Sequence, residues 1–187
     1  MKRQPQVLLV ASTLGLAWLG MQAVHELGHV VGAVASGGRV AEVTLHPATI
    51  SSTLLAENPH PLLVAWLGPL VGAAVPVAAW PVARLGKLRG WYVLQFFAGF
   101  CLVANGAYLA AGTPAGIGDA GTLLHYGTPA VLLWLFGLLT IPVGLWLWNG
   151  LGPHFGLGAA CGEVDHAVAY AVAALLVATV AVELALG

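Results

Sequence analysis

Charge is what this sequence has least of. Its seven Asp and Glu and six Lys and Arg make up 7% of 187 residues, against roughly 25% in soluble globular domains. A water-soluble fold of this size needs far more polar surface, so that class is excluded. Disorder is excluded too. It requires low hydrophobicity and high net charge, whereas 59% of these residues are hydrophobic and the net charge is −1. No basic patch is present, which removes nucleic acid as a partner. Cysteine is nearly absent. Cys101 and Cys161 set no disulfide framework, and Cys101, inside an apolar stretch, reads as a small core residue. No internal repeat is visible.

What the sequence has instead is long apolar runs. A spanning helix needs about 20 mostly apolar residues. Five stretches qualify: about Val7 to Ala35, Pro61 to Ala83, Trp91 to Ala111, Pro129 to Asn149 and Asp165 to Leu186. Met1-Lys2-Arg3 and the apolar residues after it have a signal-peptide flavour, but the run is too long and continues into a chemically loaded segment. The paired glycines of Ser36-Gly37-Gly38 stop the first helix. Arg39, Ala41, Val43 and Leu45 then alternate with Val40, Glu42, Thr44 and His46, a period of two. Pro47 forces a turn, and Thr49 to Leu55 is again rich in β-branched residues. The expectation is an all-α multi-pass membrane protein, residues 1–187 as one domain, with about five transmembrane helices and a short β-hairpin after the first. Lys2, Arg3, Arg84, Lys87 and Arg89 fall on one side of such a bundle and Arg39 on the other, which favours a cytoplasmic N-terminus.

The first helix carries His25-Glu26-Leu27-Gly28-His29. At about 100° per residue, positions four apart lie about 40° apart and one turn apart along the axis. Two imidazoles so placed can bind one metal ion. Glu26, on the rim of that face, can reach a metal-bound water rather than the metal. Catalytic Zn²⁺ takes three protein ligands and leaves a position for water. Ionisable residues within spanning segments are costly and mark function by default. Trp18, Gln22, His25, His29, Gly32 and Ser36 form a stripe at three- and four-residue steps, expected to face protein rather than lipid. Gly28 and Gly32 form a small-xxx-small pair suited to close helix packing.

A third ligand has to come from elsewhere. Asp119 ranks first, being the lone carboxylate between Glu57 and Glu163 and lying in the glycine-rich loop after the third helix. It could also cap the following helix, alone or while serving as a ligand. His125 is the next candidate, with His46, His60, His154, His166, Glu57, Glu163 and Asp165 behind it. Asn105, inside the third helix, is a buried polar group in need of a partner. It is a candidate for holding the site or for orienting substrate, and equally for a plain hydrogen bond to another helix.

At these residues the chain resembles the site-2 protease family of intramembrane zinc metallopeptidases, in its small bacterial branch. The resemblance rests on the His25-to-His29 motif, the strand-like Gly38-Arg39-Val40 to Leu45-His46-Pro47, Gly68-Pro69 in the second helix, and Gly118-Asp119-Ala120. It implies His25, His29 and Asp119 as zinc ligands, Glu26 as general base, and cleavage of peptide bonds in or near the membrane. The sequence departs from the family pattern in several places, among them a longer gap between Asn105 and Asp119 than the family's Asn and Asp show. The Asn expected after Gly-Pro is missing, and Gly-Asp-Ala replaces the commoner Asp-Gly. Many relatives also hold the site toward the cytoplasm, whereas the charge count puts the end of the first helix outside.

The expected activity is thus that of a zinc metalloendopeptidase of a bacterial plasma membrane, its substrate a membrane protein or peptide within the lipid bilayer. Val43, on an exposed strand edge, and Asn105 are the candidate substrate contacts. Two rivals belong to other classes. One is a divalent-metal transporter, which would need a second polar helix that the second, fourth and fifth apolar runs do not offer. The other is a catalytically silent relative acting as a membrane binding protein.

Overall fold

The computed structural model describes residues 3–186, so Lys2, counted above for topology, lies outside it. The elements in chain order are α1 (Gln4–Ala35), β1 (Arg39–Thr44), β2 (Ser52–Glu57), α2 (Pro61–Leu85), α3 (Trp91–Ala115), α4 (Gly118–His125), α5 (Ala130–Trp148) and α6 (His166–Leu186), with two short 3₁₀ turns at Gly152–Phe155 and Gly158–Ala160. Five helices, all but the eight-residue α4, are long and apolar enough to cross a membrane. They match the five apolar runs of the sequence. The architecture is that of a multi-pass membrane protein.

Chain order sorts the loops to two ends of the bundle. At one end, Gln6 Nε2 donates to the carbonyls of Phe155 and Gly156 at 3.1 and 2.6 Å, and Arg89 pairs with Asp165 at 2.6 Å. This hydrogen bonding to the Arg89 guanidinium is the main reason the Asp165 carboxyl is held below its usual range. A buried apolar cluster of Leu9, Tyr92, Leu151, Phe155, Val168 and Val172 seals this end. The hairpin and α4 lie at the opposite end. There Ala65, Leu109, Ala120, Leu123 and Leu133 bury α4 against α2, α3 and α5.

Gly37 adopts φ +79° and terminates α1, and Gly38 N–H returns to Ala33 O at 2.8 Å. The chain then enters β1 directly. β1 pairs antiparallel with β2, with Val43 opposite Thr53 and Thr44 opposite Ser52, and the register slips around Ala41. Arg39 and Glu57 close the open end of the hairpin at 2.8 Å. Backbone in this form cannot face hydrocarbon. It packs instead on α1 at the end of the bundle. The second strand begins at Ser52 rather than Thr49, because Thr49 to Ser51 are used in the turn.

Candidate metal centre and active site

Helical spacing brings the first two ligands together as expected. His25 and His29 are both buried on α1, with Nε2 atoms 3.1 Å apart and rings edge-to-face at 4.8 Å. The third member is Asp119. Its Oδ2 lies 2.9 Å from His25 Nε2 and 3.3 Å from His29 Nε2. Ligand atoms about 2.0–2.1 Å from one tetrahedral ion stand about 3.3 Å from each other, so this triangle is close to the edge length a small ion requires. Among the described residues it is the one group of three His, Cys, Asp or Glu side chains close enough to share a metal.

Hydrogen bonding behind the ligands decides where their protons sit. His29 Nδ1 lies 2.9 Å from Val64 O, which can only accept. The imidazole must therefore carry its proton on Nδ1. His25 Nδ1 lies 2.7 Å from Asn105 Oδ1. The Asn105 amide is oriented by its own Nδ2, which donates to Cys101 O at 2.8 Å, so the oxygen must face the histidine. Both neutral rings then present bare Nε2 lone pairs to a carboxylate oxygen. Three acceptors converging at about 3 Å repel one another unless a cation lies among them. A metal ion meets that need, and in its absence a proton shared between imidazole and carboxylate does. The donor set, two nitrogens and one oxygen with outward bonds fixing the tautomers, fits a divalent metal.

Glu26 stands apart from this trio. Its two carboxylate oxygens accept from hydroxyls of the hairpin, Oε1 from Ser51 Oγ at 2.7 Å and Oε2 from Thr53 Oγ1 at 2.6 Å. Gln22 Oε1, one turn earlier, accepts from Ser51 N–H at 2.8 Å. The hairpin thereby holds a carboxylate beside the metal ligands without letting it join them. The three ligands and Glu26 border one cavity of about 380 Å³, whose walls include Ser52, Leu55, Val64, Tyr108 and Thr122.

Several expectations are refined by these positions. Asp119 does not cap α4; the cap position is Ile117, and Asp119 sits in the first turn with its side chain on the histidines. His125, at the far end of α4, is exposed and outside the metal group. Asn105 is 1% exposed, bonds to His25 from behind and does not border the cavity, the position of a support for that histidine rather than of a group open to the cavity. Val43 is 40% exposed on β1, opposite Thr53, and does not border the cavity. β2 is the strand that does, because Ser51, Thr53 and Leu55 share one face by the two-residue period. The polar stripe on α1 is buried at Gln22, His25, His29 and Gly32, but Trp18 is 44% exposed. Two turns below the site that face is open.

Sequence reasoning missed Ser51, Thr53 and Tyr108. Strand hydroxyls are commonplace and gave no signal on their own. Tyr108 had one: it stands three residues after Asn105, one turn along the same helix face. Compared with protein-family models, with curated proteins and with solved structures, the chain matches none.

Proposed function

We propose that this protein is an intramembrane zinc metallopeptidase of a bacterial plasma membrane, cutting peptide bonds of membrane proteins or peptides in or near the bilayer. One observation carries the reading. Three lone-pair donors converge on a point, and the carboxylate of Glu26, adjacent to His25 in the chain, is held beside them by hairpin hydroxyls instead of among them. Two nitrogens and one oxygen with room for water is a donor set that zinc enzymes use. Zinc held there would supply Lewis-acid chemistry, polarising a peptide carbonyl and acidifying water.

The chain's own groups do the rest. Glu26 takes a proton from the attacking water and delivers it to the amide nitrogen as the C–N bond breaks. The hydroxyls of Ser51 and Thr53 fix that carboxylate in position. Each strand of the two-stranded sheet has one unpaired edge. An extended peptide pairing with the free edge of β2, beside the cavity, would satisfy backbone groups exposed when a substrate helix unwinds. Nothing comparable supports a transporter, since a second set of ligands along a path is missing among the described residues.

The test is metal content and cleavage measured together. Purified wild type should hold about one zinc per chain and cut members of a transmembrane-peptide library in proteoliposomes. Glu26→Gln should keep the zinc and lose cleavage, and a His25→Ala, His29→Ala double variant should lose both. Full zinc in the double variant, or undiminished cleavage by Glu26→Gln, would end this reading.

A further inference from the structure

Water attacking a peptide carbonyl drives charge onto the carbonyl oxygen. Preorganised hydrogen-bond donors aimed at that charge are among the strongest contributors to catalysis. The buried amide closest to the metal group cannot serve. Asn105 spends its oxygen on His25 and its nitrogen on Cys101 O. Thr122 gives its hydroxyl proton to Gly118 O at 3.3 Å. Tyr108 is in a different position. It borders the cavity together with His25, His29, Glu26 and Asp119. Its ring stands edge-to-face on His25 at 5.8 Å between centroids. Its hydroxyl oxygen accepts from Asp119 N–H at 3.2 Å, and its own proton has no acceptor among the described residues.

The backbone is arranged around that hydroxyl. Gly118, with φ +58°, immediately precedes the ligand Asp119, and a Cβ at this position would collide with the Tyr108 hydroxyl. Glycine at 118 therefore lets the phenol reach the amide of the next residue. An N–H donated to the phenol oxygen polarises the O–H and strengthens it as a donor. The hydroxyl is thus anchored on one side and free to donate on the other.

We propose that Tyr108 is a catalytic residue whose hydroxyl donates a hydrogen bond to the carbonyl oxygen of the scissile peptide. As the water oxygen bonds to the carbonyl carbon, the C=O π pair moves onto oxygen and the Tyr108 O–H stabilises that charge without giving up its proton. The pair returns as the C–N bond breaks. Glu26 moves the only proton that changes place, from water to the leaving nitrogen, and the products are a carboxylic acid and an amine. This role rests on the peptidase reading of the same cavity.

Tyr108→Phe is nearly isosteric and keeps the ring on His25. On a peptide that the wild type cuts, kcat should fall by about 10²- to 10³-fold, with KM and zinc content near wild type. Affinity for a phosphinic peptide, a tetrahedral anionic mimic of the attacked carbonyl, should fall by about tenfold or more. Binding of the uncut parent peptide, measured in the Glu26→Gln background, should not change. Cleavage and phosphinic affinity within twofold of wild type would overturn the role of Tyr108 and leave the peptidase reading standing. Loss of cleavage only in step with loss of zinc would also overturn it, reducing Tyr108 to a support for Asp119. Zinc-loaded wild type that cuts no peptide and ignores the phosphinic probe would overturn both.

Discussion

Asn105 borders no open space, yet replacing it should weaken zinc binding by about 10- to 100-fold, the usual effect of removing a partner behind a metal ligand. The magnitude follows from the position of one proton. With His25 Nε2 bound to metal, its proton must sit on Nδ1, 2.7 Å from Asn105 Oδ1. Asn105→Leu fills the same space and removes the acceptor, leaving a buried donor unpaired at a cost of about 1–3 kcal/mol. Metal-free protein escapes that cost. There the proton can move to Nε2 and be given to Asp119 Oδ2, 2.9 Å away. The metal-bound state carries the larger penalty, an unpaired donor against an unpaired imidazole acceptor in the metal-free protein, and at 1.4 kcal/mol per tenfold the full 1–3 kcal/mol sets an upper bound of about 5- to 150-fold in affinity. Asn105→Asp, with its carboxyl protonated so that the hydroxyl still donates to Cys101 O, keeps an acceptor at this point and should stay within a few-fold of wild type. Asn105→Ala opens room for a water and should fall between the two. The assay is competition for zinc against a chromophoric chelator in detergent, with thermal unfolding as the control for folding. Folded Asn105→Leu protein that binds zinc within twofold of wild type would refute the tautomer argument.

The hydroxyl clamp predicts a different pattern. Ser51→Ala with Thr53→Val should lower kcat by about tenfold or more at unchanged zinc content, since each hydroxyl bond to a charged acceptor contributes roughly 1.5–3 kcal/mol, and Thr53→Ser should retain activity; equal loss in Thr53→Ser and Thr53→Val would show that the hydroxyl is not what matters. The charge distribution predicts the side of the membrane on which the site opens. Cys161 is exposed at the Arg89 end of the bundle and Cys101 is buried, while Ile50, in the hairpin turn, is 80% exposed. An impermeant maleimide added to intact cells should label Ile50→Cys and reach Cys161 only after the membrane is opened, and the reverse order would turn the site toward the cytoplasm.

Features with a strong period were legible in the sequence, and features made by tertiary approach were not. Five helices followed from apolar run length, because hydrocarbon thickness sets a length that composition must meet. The hairpin followed from alternation after Gly38. Asp119 stood out because a lone carboxylate among glycines is rare in so apolar a chain. Val43 illustrates the limit. Alternation shows that a strand exists, but not which of two paired strands lies over the cavity, and it is β2 that brings Ser51 and Thr53 onto Glu26. Asn105 illustrates another. A buried amide must find partners, but sequence does not say that one of them is a metal ligand on another helix. Trp18 shares the angular position of the site on α1 yet is open to the surroundings, because periodicity gives a face and not the height to which neighbours cover it.

The glycines of α1 and α2 make the site possible. A polar cluster inside an apolar bundle is tolerated only if every donor and acceptor is met, and meeting them requires backbones closer than side chains normally permit. A Cβ on Gly28 would strike the carbonyl of Leu67, and one on Gly68 would occupy the imidazole of His29. A Cβ on Gly72 would stand 2.9 Å from the Asn105 amide. Gly28 therefore lets α2 approach α1, Gly68 makes room for the ligand that this approach carries to Val64 O, and Gly72, one turn on, makes room for the amide that orients the other ligand. The Gly68-Pro69 element and the His25-to-His29 motif, about forty residues apart and unrelated in composition, answer the same requirement. Gly68 belongs to the candidate metal centre without a side chain to bind with.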